Sequence, residues 1–174
     1  LQTLQTGGTA LILPTTIGPA DVPGLIAMNG ITWMFLTPFH MRKLLHQFAN
    51  ADRPVLQQLR QLVVASSVLT ADERTAARRR LSPNLVEQYG TALGGLHSVS
   101  FPADLLIAPD SVGRIVVGAE AEIVAKEDRP VPAGTIGEIR LRGPGYASAY
   151  YKDAEASART FRNAPATIRR RRTR

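Results

Sequence analysis

The sequence predicts an α/β chain: a partial parallel-sheet α/β layer followed by a small antiparallel β unit. Three observations carry this. Short apolar runs alternate with amphipathic segments from about residue 9 to 90, the pattern of crossovers between parallel strands. After Gly90 the periodic segments give way to prolines and glycines, so Thr91 to Asp110 reads as a long connection. Farther on the period becomes two, with Ile139 and Leu141 alternating with Glu138, Arg140 and Arg142, as in a sheet with one wetted face. The expected divisions are the α/β segment over 1–108, the antiparallel unit over 109–152, a short helix over 153–162 and a basic, unstructured tail over 163–174.

Each element has a local reason. Thr9 to Leu13 is an apolar run closed by Pro14 and reads as a short buried strand. Asp21 stands where it can cap a helix with Pro23 in its first turn and Asn29-Gly30 at its end. Leu25, Ile26 and Met28 give that helix an apolar side. Ile31 to Leu36 is apolar on both faces, which predicts a central parallel strand covered on both sides. Thr37-Pro38 opens the next helix, where Met41, Leu44, Leu45 and Phe48 recur at i, i+3, i+4, i+7. Pro54 begins a short helical link, and Gln61 to Ala65 is the following strand. Thr70 and Glu73 form a capping box. The helix behind it carries Arg74, Arg78, Arg79 and Arg80, expected as a solvated face. Asn84 to Tyr89 is the next strand. Ala121 to Ala125 and Ile136 to Arg142 are strands flanking a proline- and glycine-rich loop, Asp128 to Gly134, and Asp153 to Phe161 is a last helix.

Composition narrows the function classes. The chain has 174 residues and no cysteine, which removes disulfides and thiolate metal sites. Its three histidines, His40, His46 and His97, are too dispersed to suggest a metal cluster. A mean hydropathy of -0.05 is a globular value, and no apolar run suits a membrane span. The first residues do not read as a signal peptide, so a cytoplasmic location is expected. The net charge of +7 is concentrated: Arg169 to Arg174 hold five arginines, and without them 16 basic residues face 14 acidic ones, a net +2. Such a tail can attract polyanions or have no role. Neither aromatic interleaving nor a recognition helix supports nucleic-acid reading.

The stretch most suggestive of chemistry runs from Asn84 through Tyr89-Gly90-Thr91-Ala92-Leu93 to Gly94-Gly95. A strand that ends on an aromatic and then loses its side chains leaves a flat-walled slot at its carboxyl end, where open α/β sheets bind ligands. Taken alone, Tyr89 reads first as a core tyrosine at a strand exit, and Gly94-Gly95 as a flexible turn. Neither a nucleophile elbow, a His-Glu-x-x-His motif nor a Gly-x-x-x-x-Gly-Lys phosphate loop is present.

The order of motifs is more specific. From about Gly7 to Phe161 the chain resembles the AMP-binding core of the adenylate-forming enzymes, which include acyl-CoA synthetases, acid–thiol ligases and adenylation domains. Gly7-Gly8-Thr9-Ala10 and Thr37-Pro38 fit its early segments. Ser66-Ser67-Val68-Leu69 stands at its Gly-Ala-Pro turn, and Tyr89-Gly90-Thr91-Ala92-Leu93 at Tyr-Gly-x-Thr-Glu. Asp110 to Arg114, Arg129 to Ile139, Arg142 to Gly145 and Tyr150 to Asp153 continue in register. The resemblance covers most of this chain but only a middle section of such an enzyme.

That resemblance implies a ligase that activates a carboxylic acid with ATP to an acyl-adenylate and passes it to a thiol such as coenzyme A. It implies adenine contacts from Ser66, Ser67, Val68, Tyr89, Gly90 and Thr91, with Gly94 and Gly95 bordering the acyl pocket. It also implies ATP or AMP, magnesium, a small-molecule acid and no membrane partner. The family's phosphate-contacting Thr is Ala92 here, and its magnesium-binding Glu is Leu93, which offers a hard cation no oxygen. The phosphate loop is expected before Leu1. The ribose-binding Asp is expected soon after Phe161, where an arginine-rich ending suggests translation in another frame. The catalytic lysine belongs to a further domain. The expectation is therefore a chain of ligase ancestry, inactive alone. Its alternatives are a non-catalytic adenine-nucleotide-binding or interaction module, and a polyanion binder. A sheet lacking preceding strands is also expected to expose an edge and to self-associate.

Overall fold

A computed structural model describes residues 2–14, 16–125, 129–161 and 167–170. The chain runs α1 (Gln2–Gln5), a tight helical turn (Pro19–Asp21), α2 (Val22–Met28), β1 (Trp33–Leu36), α3 (Pro38–Gln47), β2 (Gln61–Ala65), α4 (Ala71–Arg80) and β3 (Leu85–Thr91). It continues through β4 (Gly95–Ser100), α5 (Pro102–Ile107), β5 (Arg114–Ile115), β6 (Glu120–Val124), β7 (Glu138–Arg142), α6 (Ala154–Thr160) and β8 (Thr167–Arg170). Two sheets result, ordered β1-β2-β3-β4-β5 and β6-β7-β8. Strands β1, β2 and β3 are parallel, while β4 and β5 add antiparallel. The second sheet is antiparallel throughout. The predicted α/β layer and antiparallel unit are thus both present.

Packing follows the strand alternation. Leu36, Leu62, Val64 and Leu85 share one face of the first sheet by register. They form a single core cluster with Val22 and Ile26 of α2, Met41 and Leu44 of α3, Ala77 of α4 and Leu105 of α5. Burying side chains of this size stabilises by about 1.5–3 kcal/mol each. Helix α4 starts as predicted: Glu73 donates its amide to the Thr70 hydroxyl at 3.2 Å, and the Glu73 carboxylate accepts from the Thr70 amide at 2.8 Å. Arg42 of α3 also pairs with Glu73. The Arg42 guanidinium, above all, holds that carboxyl below its usual range, with the Thr70 amide assisting. This brace is complete above the ordinary carboxylate range and is lost as pH falls through the lowered value.

Arg74 departs from the expected solvated face. It is 4% exposed, as is Glu87 of β3, and the two meet in a forked pair at 2.6 and 3.0 Å. Arg74 also donates to the Pro109 carbonyl. It lies one turn after Thr70 on the core side of α4, so no route to water is open to it. Helical periodicity places it inward, and the carboxylate on β3 makes that burial tolerable.

Other expectations are corrected by pairing. Thr9 to Leu13 forms no strand, and Ile12 is 89% exposed. An apolar run needs a neighbour's ladder, and none of these residues pairs. β1 is parallel but lies at the sheet edge, with Trp33 and Phe35 half-exposed and stacked 6.3 Å apart. Their side of the sheet also carries Val63 and Val86, opposite the face that α2, α3 and α4 cover. Asp21 makes no side-chain cap to α2; its carboxylate accepts from the Gly18 amide instead. Met28 is exposed. The Pro54 link is turn rather than helix, because Val55 and Leu56 donate their amides to Arg80 and Leu81 at the end of α4. The long connection, Thr91 to Asp110, contains β4 and α5, and β5 joins the first sheet although it lies beyond residue 108. In the basic terminal segment, Thr167–Arg170 pairs along β7, whose edge offers unmet backbone groups. The rest of that segment and residue 128 of the expected loop lie outside the described residues.

Replacing Arg74 by Met should strand the Glu87 carboxylate and destabilise the fold by about 3–5 kcal/mol in urea denaturation. The double variant Arg74→Met/Glu87→Leu should recover much of that loss. Additive losses would show that the two groups do not act as a pair.

Candidate functional site

The carboxyl ends of the parallel strands bring the two predicted segments together. The register sets Ala65 beside Gln88, so the turn Ser66-Ser67-Val68 leaves β2 alongside Tyr89 on β3. All three turn residues are exposed, whereas Leu69 behind them is buried. The Val68 carbonyl accepts from Arg42 at 3.4 Å, which ties the turn to α3. Ser66 has φ 94, a left-handed value that costs a residue with a Cβ about 1–3 kcal/mol.

Tyr89 does not end its strand. β3 continues to Thr91, and the chain reverses through Ala92, Leu93 and Gly94 into β4. Gly90 is required by this hairpin itself: a Cβ there would lie 2.5 Å from the Gly95 carbonyl oxygen. Gly95 adopts φ 68 to close the turn. A Cβ at Gly94 would stand 2.8 Å from both His97 and the Tyr146 ring, so the missing side chain leaves room for those two groups. Thr91 is 9% exposed, and its hydroxyl bonds His97 Nε2 at 2.8 Å, so it faces inward rather than toward a ligand.

His97 and Tyr146 were not singled out as site residues. His97 is fully buried, and its Nδ1 meets the Tyr146 hydroxyl at 2.6 Å. Its ring lies 5.5 Å from that of Tyr89 and 5.2 Å from that of Tyr146. Burial, and then the neighbouring Tyr89, raise the Tyr146 phenol above its ordinary value. The available signal was weak: a histidine in a small-residue loop, and a tyrosine 49 residues later.

At these strand ends a half-buried aromatic on β3 thus adjoins an exposed turn after β2. Ala92 and Leu93 follow it with no oxygen-bearing side chain, and among the described residues no cluster of His, Asp and Glu could hold a metal ion. The chain's own residues therefore do not fit a resident magnesium here. Two hollows, about 630 Å³ beside α2 and about 390 Å³ near Asn50 and Arg79, are lined by other residues.

A family model described as AMP-binding enzyme matches residues 1–151. The chain is 31% identical over 164 residues to a salicylyl-CoA synthase / salicylate adenylyltransferase from a Streptomyces species, covering 92% of this chain and 29% of that protein. It is 28% identical over 163 residues to an indoleacetate–CoA ligase from Aromatoleum aromaticum, covering 92% and 31%. The amide bond synthetase McbA from Marinactinospora thermotolerans superposes with a TM-score of 0.83 at 27% identity, covering 95% of this chain and 33% of that one. The chain thus spans about a third of the length of the relatives it matches.

Ser66→Gly should relieve the backbone at φ 94 and raise stability by about 1 kcal/mol net of the added chain freedom. A thermal melt of the two proteins checks this; a lower melting temperature would mean that the Ser66 side chain, not the backbone, sets the turn.

Proposed function

Because the chain belongs to the AMP-binding enzyme family, we propose that Ser66, Ser67, Val68, Tyr89 and Gly90 form the adenine-facing shelf of an acid-activating ligase. The parent reaction joins a carboxylate oxygen to the α-phosphorus of ATP with loss of pyrophosphate. The acyl group then passes from the adenylate to a thiol such as coenzyme A. Tyr89 at the carboxyl end of the parallel strands, beside the exposed Ser66 turn, is the observation that carries this reading. An aromatic face and an adenine both gain from stacking and burial. Thr91 and Gly94 are left out, since one is bonded inward and the other is packed against Tyr146.

Ala92 and Leu93 support binding without catalysis by this chain alone. The transferring phosphorus needs charge stabilisation, and each such contact is worth on the order of 3 kcal/mol. Magnesium would reach this chain only with the nucleotide's own phosphates. A non-catalytic adenine-nucleotide-binding or interaction module is the second reading, favoured by the same two residues. Polyanion binding through the terminal arginines is the third; DNA affinity that survives deletion of Arg169 to Arg174 would remove it. The acid substrate, the thiol acceptor and a cytoplasmic setting belong to the same proposal.

The exposed edge of β1 supports self-association. Trp33 and Phe35 present stacked rings there with no charge in the strand, the kind of edge that proteins commonly blunt. Phe35→Lys should shift the chain toward monomer in sedimentation; an unchanged distribution would place any contact elsewhere.

Equilibrium dialysis with ATP tests the shelf. Tyr89→Ala should weaken binding about 5- to 100-fold, the range of lost aromatic–base stacking. Unchanged affinity would remove Tyr89 from the site. Pyrophosphate release with a panel of acids should stay at background, and robust turnover would overturn the non-catalytic reading.

A further inference from the structure

Tyr89 is only as well placed as the ring behind it. Along the hairpin the register passes from Tyr89 opposite Ser98 to Gly90 opposite Leu96. His97 is therefore the extra residue of a bulge, and bulges re-aim side chains. Here the imidazole enters the interior, fully buried, with its ring against Tyr89. Each ring nitrogen meets one hydroxyl, Thr91 at 2.8 Å and Tyr146 at 2.6 Å. Either neutral tautomer satisfies both, with one N–H donating and the other nitrogen accepting. Rotating the ring would break the buried bond to Thr91 and the partly buried one to Tyr146.

Tyr146 brings the second sheet into this arrangement. It follows β7, and its ring fills the space beside Gly94 and Gly143, at each of which a Cβ would lie 2.8 Å from it. The next residue, Ala147, donates its amide to the Leu93 carbonyl at 2.7 Å. The tip of the β3–β4 hairpin is thus gripped from the antiparallel unit by one ring and one backbone bond. The hydroxyl chain transmits that grip through His97 to the inner side of Tyr89.

We propose that His97 is a positioning residue of the nucleotide shelf, coupling the antiparallel unit to Tyr89 through its bonds to Thr91 and Tyr146. This rests on the reading of Tyr89 as an adenine wall. His97 itself touches no ligand; it fixes the plane of the ring that does. The adenine affinity of the shelf then depends on two hydroxyls that never meet the nucleotide.

Tyr146→Phe and Thr91→Val each remove one hydroxyl and keep the packed shape. With the full chain and ATP as the probe, each should weaken binding about three- to tenfold, the scale of one lost buried hydrogen bond. The double variant should be no worse than the sum, and Thr91→Ser should restore wild-type affinity. The ¹⁵N shifts of the His97 ring should move in both single variants, reporting the lost partner directly. Should either variant fail to fold, the other carries the measurement. Altered ¹⁵N shifts or melting temperature with unchanged ATP affinity would overturn the proposal and leave His97 a structural residue. A wild-type chain that binds no ATP would sink the shelf reading, and the role of His97 toward it, by a result distinct from the first.

Discussion

The buried pair between Arg74 and Glu87 holds α4 against β3, and the rest of the candidate site depends on that contact. Two charges at 4% exposure are tolerated because the guanidinium fork meets both carboxylate oxygens. The same guanidinium reaches the Pro109 carbonyl, so α4, β3 and the segment entering β5 converge on one cation. Tyr89 lies two residues beyond Glu87 on β3. Thr70, one turn before Arg74, and Glu73, next to it, fix the start of α4 and close the turn after β2. The two walls of the shelf are therefore set by one helix and its two ends of contact.

The glycines around this shelf serve the protein before any ligand. Gly90 lets the hairpin close on Gly95, and Gly94 admits the Tyr146 ring. A motif that in the adenylate-forming enzymes borders substrate is here a joint between two sheets. The bulge at His97 makes the joint polar as well as packed. The inner side of Tyr89 is thereby backed by a buried ring held at both nitrogens.

Binding and chemistry separate along the same few residues. In the proposed reading Tyr89 offers an aromatic face, and the exposed turn Ser66-Ser67-Val68 stands beside it. Ala92 and Leu93 bring neither a hydroxyl nor a carboxylate to the phosphates. The β3–β4 hairpin closes through Gly90 and Gly95 whatever side chains stand at residues 92 and 93, so the fold does not depend on them. The 31% identity to a salicylyl-CoA synthase and the 0.83 TM-score to an amide bond synthetase accompany just such a preserved backbone.

The sequence by itself determined the elements whose causes are local. The capping box at Thr70, the proline start of α3, the apolar run of β2 and the period-two pattern of β7 were legible because neighbours in sequence create them. So was the family, since its motifs are contiguous. What only the tertiary structure decided involves partners far apart in the chain. Thr9 to Leu13 lacks a strand because nothing pairs with it, and β1 lies at an edge although its sequence suits a centre. Arg74 is buried because Glu87 is there to receive it. The close packing at Gly94 and the second partner of the His97 ring come from Tyr146, distant in sequence but in contact in space. Short-range pattern fixes what an element is; desolvation and pairing across the fold fix which of its side chains remain free to meet a ligand.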